Sequence, residues 1–164
     1  MARNWEADYS AYYQARGPAL RRTAYLLAGS WDEAEDLVQA TFVKLYVHWT
    51  RVRSETADAY ARRVLLNEFL GNRRRRRETP VPAIAEQPAA EPSTVDRVVL
   101  DNALAALPPK QRAAIVLRYW EDLSVAETAA LLGVSAGTVK STVSRALVTL
   151  RPMVGPETSY QEGH

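Results

Sequence analysis

Two helix-start signals flank a single tight turn between Ser124 and Arg151, and they leave the chain few choices of fold there. Ser124 with Glu127 has the spacing of a capping box, so a helix begins at this point. Val125, Ala129 and Leu132 then share one stripe. Gly133 can take the left-handed conformation that ends a helix, Val134 can tuck under the turn, and Ser135 caps the next helix. In that second helix Val139, Val143, Ala146, Leu147 and Leu150 fall on one face. Gly137, Ser141, Ser144 and Val148 lie opposite, flanked by Lys140 and Arg145. The pattern predicts a helix-turn-helix whose outer face is small enough to enter a major groove and can donate hydrogen bonds to base edges. An amphipathic hairpin in a helical bundle has the same periodicity. The cap–turn–cap spacing and an outer face short of carboxylates favour DNA.

Charge is distributed unevenly along the 164 residues, although the net value is only +2. Residues 30–46 carry −3, residues 47–77 carry +6, residues 78–106 carry −4 and residues 107–151 carry +3. Two basic blocks flank an acidic connector, which suits two nucleic-acid contacts better than one. The absence of cysteine excludes disulfides, a thiol nucleophile and a zinc finger. His48 and His164 are far apart in sequence, and no metal or other cofactor is expected. No apolar run is long enough to span a membrane, and no apolar segment follows Met1, so a cytoplasmic protein is expected.

The amino-terminal half reads as three helices. The first covers residues 4–28, with Trp5, Tyr9, Tyr12, Tyr13, Leu20, Ala24, Leu27 and Ala28 at apolar positions; Gly17-Pro18 is a point of bending or interruption. Gly29 stops it, and Ser30 with Glu33 has the spacing of another capping box. The second helix runs to about Trp49 and buries Ala34, Leu37, Val38, Thr41, Phe42, Leu45 and Trp49. Asp32, Glu35, Gln39, Val43 and Tyr46 lie on its other side. A third helix starts near Thr56, carries Ala57, Tyr60, Ala61, Val64 and Leu65 inward, and reaches Gly71-Asn72 or continues through Arg73 to Arg77. Arginines suit the negative end of a helix dipole.

Residues 78–93 contain Pro80, Pro82, Pro88 and Pro92 among several alanines and predict a flexible linker. It divides the chain into residues 1–77 and 94–151, each near the size at which a helical core becomes workable. In the second part Val95, Val98, Val99, Ala103 and Leu107 mark a helix. Pro108-Pro109 ends it and opens the next, lined by Ile115, Val116, Tyr119 and Trp120. Pro152 is expected to stop the last helix, leaving 152–164 as a disordered tail. The expected class is all-α, with two small helical domains.

Three stretches resemble the sigma-70 family, in particular its compact extracytoplasmic-function (ECF) group and the actinobacterial SigE-like branch. Residues 32–46, beginning Asp-Glu-Ala-Glu-Asp-Leu-Val-Gln, resemble the family's acidic polymerase-binding helix. Residues 59–67, Ala-Tyr-Ala-Arg-Arg-Val-Leu-Leu-Asn, with the following arginines, resemble the helix that reads the -10 element. Residues 107–150 resemble the domain that reads the -35 element. The match has departures. Tyr60 stands where the family often has Trp, Gln39-Ala40-Thr41-Phe42 lacks a carboxylate usual in the family, and Lys140 and Ser144 replace a frequent Arg and a bulkier residue. The -35 sequence is therefore not transferable.

The resemblance implies a sigma factor that directs core RNA polymerase to promoters and helps to melt them. Asp32, Glu35, Asp36 and Gln39 would dock on the polymerase clamp coiled coil, where charge gives orientation and on-rate. Tyr60, Arg62, Arg63, Asn67, Arg73 and Arg74 would meet -10 DNA once single-stranded. Arginines neutralise phosphates, Tyr60 either stacks on a base or packs in the core, and Asn67 either captures a flipped base or is an ordinary surface amide. Lys140, Ser141, Ser144 and Arg145 would meet double-stranded -35 DNA. The linker is either a tether or a segment threading towards the polymerase channels. Anti-sigma partners are common in the family, and no residue specifies one here. No catalytic constellation is visible. The competing readings are a stand-alone helix-turn-helix regulator, which lacks a use for the acidic helix and the linker, and a DNA-processing enzyme, for which residues 1–77 are too short and too helical.

Overall fold

The structure, a computed structural model, describes residues 4–52, 56–78 and 95–154. Among them every regular element is helical, and the chain divides into two compact units, Met1–Pro88 and Ala89–His164. The expected linker from residue 79 to 93 and the expected tail beyond residue 154 lie outside the described residues.

The first unit is built from α1 (Trp5–Ala28), α2 (Trp31–His48), a short 3-10 turn (Trp49–Arg51) and α3 (Ala57–Glu78). Asn4 Oδ1 caps α1, and Gly29, at φ +84°, ends it by donating its N–H to the Tyr25 carbonyl at 2.8 Å. The helix runs through Pro18 without a break. Pro18 is exposed, so the carbonyl of Gln14 that it cannot bond is left on the solvent side. Every residue expected in the α2 stripe is buried, and α2 packs against both α1 and α3. Leu20, Leu27, Leu37, Leu45, Leu65 and Phe69 form the centre of this core. Tyr9 edges against Phe42, Tyr46 and Trp49, and its hydroxyl donates to the Phe42 carbonyl at 2.9 Å. Tyr12 donates to Asp58 Oδ1 at 2.8 Å, which ties α1 to α3. Burial, then the Asp58 carboxylate, pushes the Tyr12 phenol pKa well above its usual value.

The Ser30–Glu33 capping box forms only in part. Ser30 Oγ accepts the Glu33 N–H at 3.3 Å, but the Glu33 carboxylate turns to Arg73 and Arg76 instead of returning to the cap. Two charge-assisted hydrogen bonds outweigh one to an amide. The third helix also does not stop at Gly71: it continues through all five arginines to Glu78, the residue expected to open the linker.

The second unit contains α4 (Val95–Ala105), α5 (Pro109–Ile115) continued by a π-helical turn (Val116–Trp120), α6 (Val125–Leu132) and α7 (Ala136–Val154). α7 packs on α4, α5 and α6 through Val139, Ala146 and Leu150. Pro109 occupies the first turn of α5 as expected. Arg112 is buried, and its Nη2 donates to the carbonyls of Ala105 and Leu107 at 3.0 and 3.1 Å. It closes the end of α4, where acceptors are left over.

Three expectations change in this unit. Tyr119 and Trp120 do not line α5: they are 56% and 49% exposed, because the π turn adds a residue and rotates them out of the helical stripe. Val134 is not tucked under the turn but stays 37% exposed, whereas Val139, in the next helix, is fully buried. Pro152 does not stop α7, which reaches Val154. The hydrogen bond Pro152 forgoes would go to the carbonyl of Val148, an exposed position where water can serve.

Candidate nucleic-acid interface

The helix-turn-helix forms by the local signals in its sequence. Ser124 Oγ accepts the Glu127 N–H at 3.0 Å, and Glu127 Oε1 accepts the Ser124 N–H at 3.2 Å. Gly133 sits at φ +67°, a conformation that side chains resist. Ser135 Oγ accepts the Thr138 N–H at 3.1 Å and starts α7. Lys140, Ser141, Ser144 and Arg145 are all exposed on α7, and no acidic residue occurs between Ala136 and Val154. Ser141 Oγ donates to the Thr138 carbonyl at 3.0 Å, so its lone pairs face outward as acceptors. Beside this face Arg118, Lys140 and Arg151 rim a shallow groove floored by Val125, Val143 and Leu147. Arg118 is held there by its bond to the Leu123 carbonyl. Arg118 does not stand out in the sequence, because only the folding of the α5 segment beside α7 brings it to the rim; Arg151 follows Lys140 and Ser144 along α7 at helical spacing but lies beyond the residues read as the recognition face.

On the first unit, α3 separates its candidates by side. Arg63, Asn67, Arg74 and Arg77 are exposed and fall at helical spacing along one stripe. Tyr60 and Arg62 are half-buried, and the Tyr60 ring meets His48 edge-on at 6.4 Å. Arg73 points the other way. Its Nη2 donates to the Ala28 carbonyl at 2.8 Å and to Glu33 Oε2 at 3.1 Å, and its guanidinium lies over Phe69 at 5.4 Å. Burial lowers the Arg73 pKa, Glu33 opposes that shift and Arg76 adds to it. Arg73 is thus engaged inside the fold, while Arg77, one of the arginines following Asn67, shares the outward stripe with Arg74.

The acidic helix is similarly divided. Asp32, Asp36 and Gln39 are exposed on one line of α2 that continues through Val43, Tyr46 and Val47, which are 62%, 49% and 66% exposed. Glu35 instead pairs with Arg21, whose guanidinium stacks 4.8 Å over Trp31; Trp31 in turn stacks on Tyr25 at 4.2 Å. Among the described residues no group of three or more histidine or carboxylate side chains is placed to hold a metal ion, and no helix is long and apolar enough to cross a membrane.

The family model for Sigma-70 region 2 matches residues 12–79, and that for Sigma-70, region 4 matches residues 97–150. The chain belongs to the sigma-70 family. RNA polymerase sigma-E factor of Streptomyces coelicolor is 42% identical over 149 residues, covering 88% of this chain and 84% of that protein. ECF RNA polymerase sigma factor SigE of Mycolicibacterium smegmatis is 35% identical over 150 residues, covering 84% of this chain and 58% of the relative. Among solved structures, the sigma factor RpoE of Bartonella quintana, in complex with the anti-sigma factor NepR, superposes with a TM-score of 0.74 at 32% identity, over 90% of this chain and 96% of that one. The ECF assignment and the two regions in this order agree with the expectation from the acidic helix, the arginine-bearing helix and the helix-turn-helix.

Proposed function

We propose that this chain is a dissociable promoter-specificity subunit of RNA polymerase, with its contacts divided among three exposed helix faces. The α2 face of Asp32, Asp36 and Gln39, with Val43 and Val47 beyond them, docks on the polymerase clamp coiled coil. Glu35 contributes mainly by fixing Arg21 and Trp31 beside that face. The α3 stripe of Arg63, Asn67, Arg74 and Arg77 follows the phosphates of the -10 strand, and Asn67 can donate to and accept from an extruded base. Tyr60 and Arg62 border that stripe. Lys140, Ser141, Ser144 and Arg145 of α7 read -35 duplex DNA, with Arg118 and Arg151 placed for phosphates.

What carries the proposal is the occurrence of sigma-70 regions 2 and 4 in one chain, each with an exposed basic face. A stand-alone regulator needs one reader and a dimer surface, not two unlike readers and an acidic helix. Residues 79–93 join the two domains as a linker of up to 15 residues, with α3 closing the polymerase/-10 domain at Glu78 and α7 carrying the -35 domain to Val154. The chain brings no chemistry of its own: nucleotide addition belongs to the polymerase, and the site of action is the cytoplasm. Control by an anti-sigma factor follows from the likeness to the Bartonella protein, which was solved with one.

In vitro transcription with core polymerase and a promoter library tests this directly. The expected result is enrichment of promoters sharing two short elements at fixed spacing. Tight, polymerase-independent binding to a palindrome, with no transcription, would establish the regulator reading instead.

A further inference from the structure

Glu33 differs from the other acids of α2. Asp32 and Asp36 are exposed, yet Glu33, between them in sequence, is 8% exposed. Its Oε2 accepts Arg73 Nη2 at 3.1 Å and Arg76 Nη1 at 3.2 Å. The same Arg73 nitrogen donates to the carbonyl of Ala28, in the last turn of α1, at 2.8 Å. Three helix ends therefore meet at one carboxylate: the end of α1, the start of α2 and the end of α3. A carboxylate is costly to remove from water and stays buried only when well paired. Serving the α2 dipole does not require burial, since Asp32 serves it from solvent.

The reason for burial lies in α3. Arg73 to Arg77 are five like charges in succession, and helix geometry makes neighbours of Arg73 with Arg76 and Arg77, and of Arg74 with Arg77. Such pairs disfavour the helix where its end is already prone to fray. Glu33 offsets part of the positive charge of Arg73 and Arg76, and the helix then carries Arg74 and Arg77 outward, in line with Arg63 and Asn67. We infer that Glu33 is a positioning residue for promoter DNA: through Arg73 and Arg76 it keeps the last two turns of α3 helical and aims Arg74 and Arg77 at the strand. Glu33 touches no DNA. The inference rests on the DNA-facing reading of α3 proposed above.

The test uses the full chain and a labelled single-stranded oligonucleotide of mixed sequence, titrated across salt at a temperature where each variant is folded by circular dichroism. The double variant Arg74→Ala/Arg77→Ala sets the scale for removing the two outward arginines. Each phosphate that is no longer neutralised on a single strand lowers the salt slope by about 0.7, or about fivefold in affinity at 0.1 M salt. Glu33→Gln should lower the slope in the same direction and speed amide exchange over residues 74–78. The sign is decisive, because Glu33→Gln makes the protein more positive and bulk electrostatics alone would tighten binding. Wild-type or tighter binding by folded Glu33→Gln would overturn the inference, as would unchanged amide exchange over residues 74–78 in that variant. If Arg74→Ala/Arg77→Ala itself binds normally, the DNA-facing reading of α3 fails first and the positioning role falls with it.

Discussion

Gly137 offers a perturbation in which stability and function are expected to move in opposite directions. It lies in the first turn of α7, exposed, and its φ is not in the left-handed region where Gly29 and Gly133 sit. A Cβ built there meets nothing closer than Ser135 Oγ at 3.9 Å, an ordinary van der Waals contact. Nothing inside the protein therefore requires glycine. Replacing it with alanine removes backbone freedom from the unfolded chain and should add about 0.5–1 kcal/mol. For a unit of this size that is a rise of about 2–8 °C in Tm. Trp120 is the single tryptophan in residues 89–164, so its fluorescence can follow this transition. If the first turn of α7 faces the floor of the major groove, the added methyl should crowd the DNA and cost about 1–3 kcal/mol, the scale of an overpacked contact. Promoter complexes formed with core polymerase should then weaken by roughly 5- to 150-fold on -35-dependent promoters. Gly137→Ala with a raised Tm and unchanged promoter binding would refute the close approach. A lowered Tm would refute the claim that the fold leaves room.

Reversing Asp32 and Asp36 together should weaken binding to core polymerase at moderate salt with both units still folded, whereas reversing Glu35 should mainly disturb the Arg21–Trp31 stack; competition binding with a labelled reference sigma factor separates them. Asn67→Ala should reduce open-complex formation more than closed-complex binding, because base capture matters only after melting, and permanganate footprinting distinguishes the two steps. Arg145→Ala should cost roughly 1–3 kcal/mol and relax preference at one promoter position if it reads a base. If Arg145 meets phosphate alone, all promoters should weaken alike in the library profile. The raised Tyr12 pKa gives a pH signature. The unfolded phenol ionises from about pH 10 while the folded one stays protonated, so its contribution is intact below that pH and is lost as pH rises through the folded value. Urea titrations above pH 10 should show wild type losing stability faster than Tyr12→Phe.

Much of this architecture is legible in the sequence because it is set by neighbours three or four residues apart. The α2 stripe from Ala34 to Trp49, the Ser124–Glu127 box and the glycines at 29 and 133 are signals of that kind. What the sequence does not display is set by partners across the fold. Arg73 looks like its four neighbours until Ala28 and Glu33, roughly 40 positions earlier, are brought beside it. Glu33 has the spacing of a cap and is taken by a stronger partner. Tyr119 and Trp120 have the spacing of a helical stripe, but the π turn changes the period under them. Val134 and Pro152 fail for a simpler reason: solvent exposure at both positions removes the pressure that local rules assume. The exposed site faces were legible as chemistry. On α2 and α3 the ion pairs that claimed Glu35 and Arg73 took one member from each face.

The division of the arginine run into inward and outward members has a consequence for how this protein can change length. A polybasic segment that acted as a diffuse charge would tolerate insertion or deletion of a residue with little effect. Here one residue added or removed between Phe69 and Arg73 turns everything beyond it by about 100°. Arg74 or its neighbour would then meet Glu33, and the clasp and the stripe would exchange members. Composition at Arg74 and Arg77 is free to drift within the basic residues, whereas the spacing from Phe69 to Arg76 is not. Insertions of three or four residues, close to a full turn, restore the phase but carry Arg73 and Arg76 about 4.5–6 Å along the axis, out of reach of Glu33, so the clasp fixes length here as well as phase.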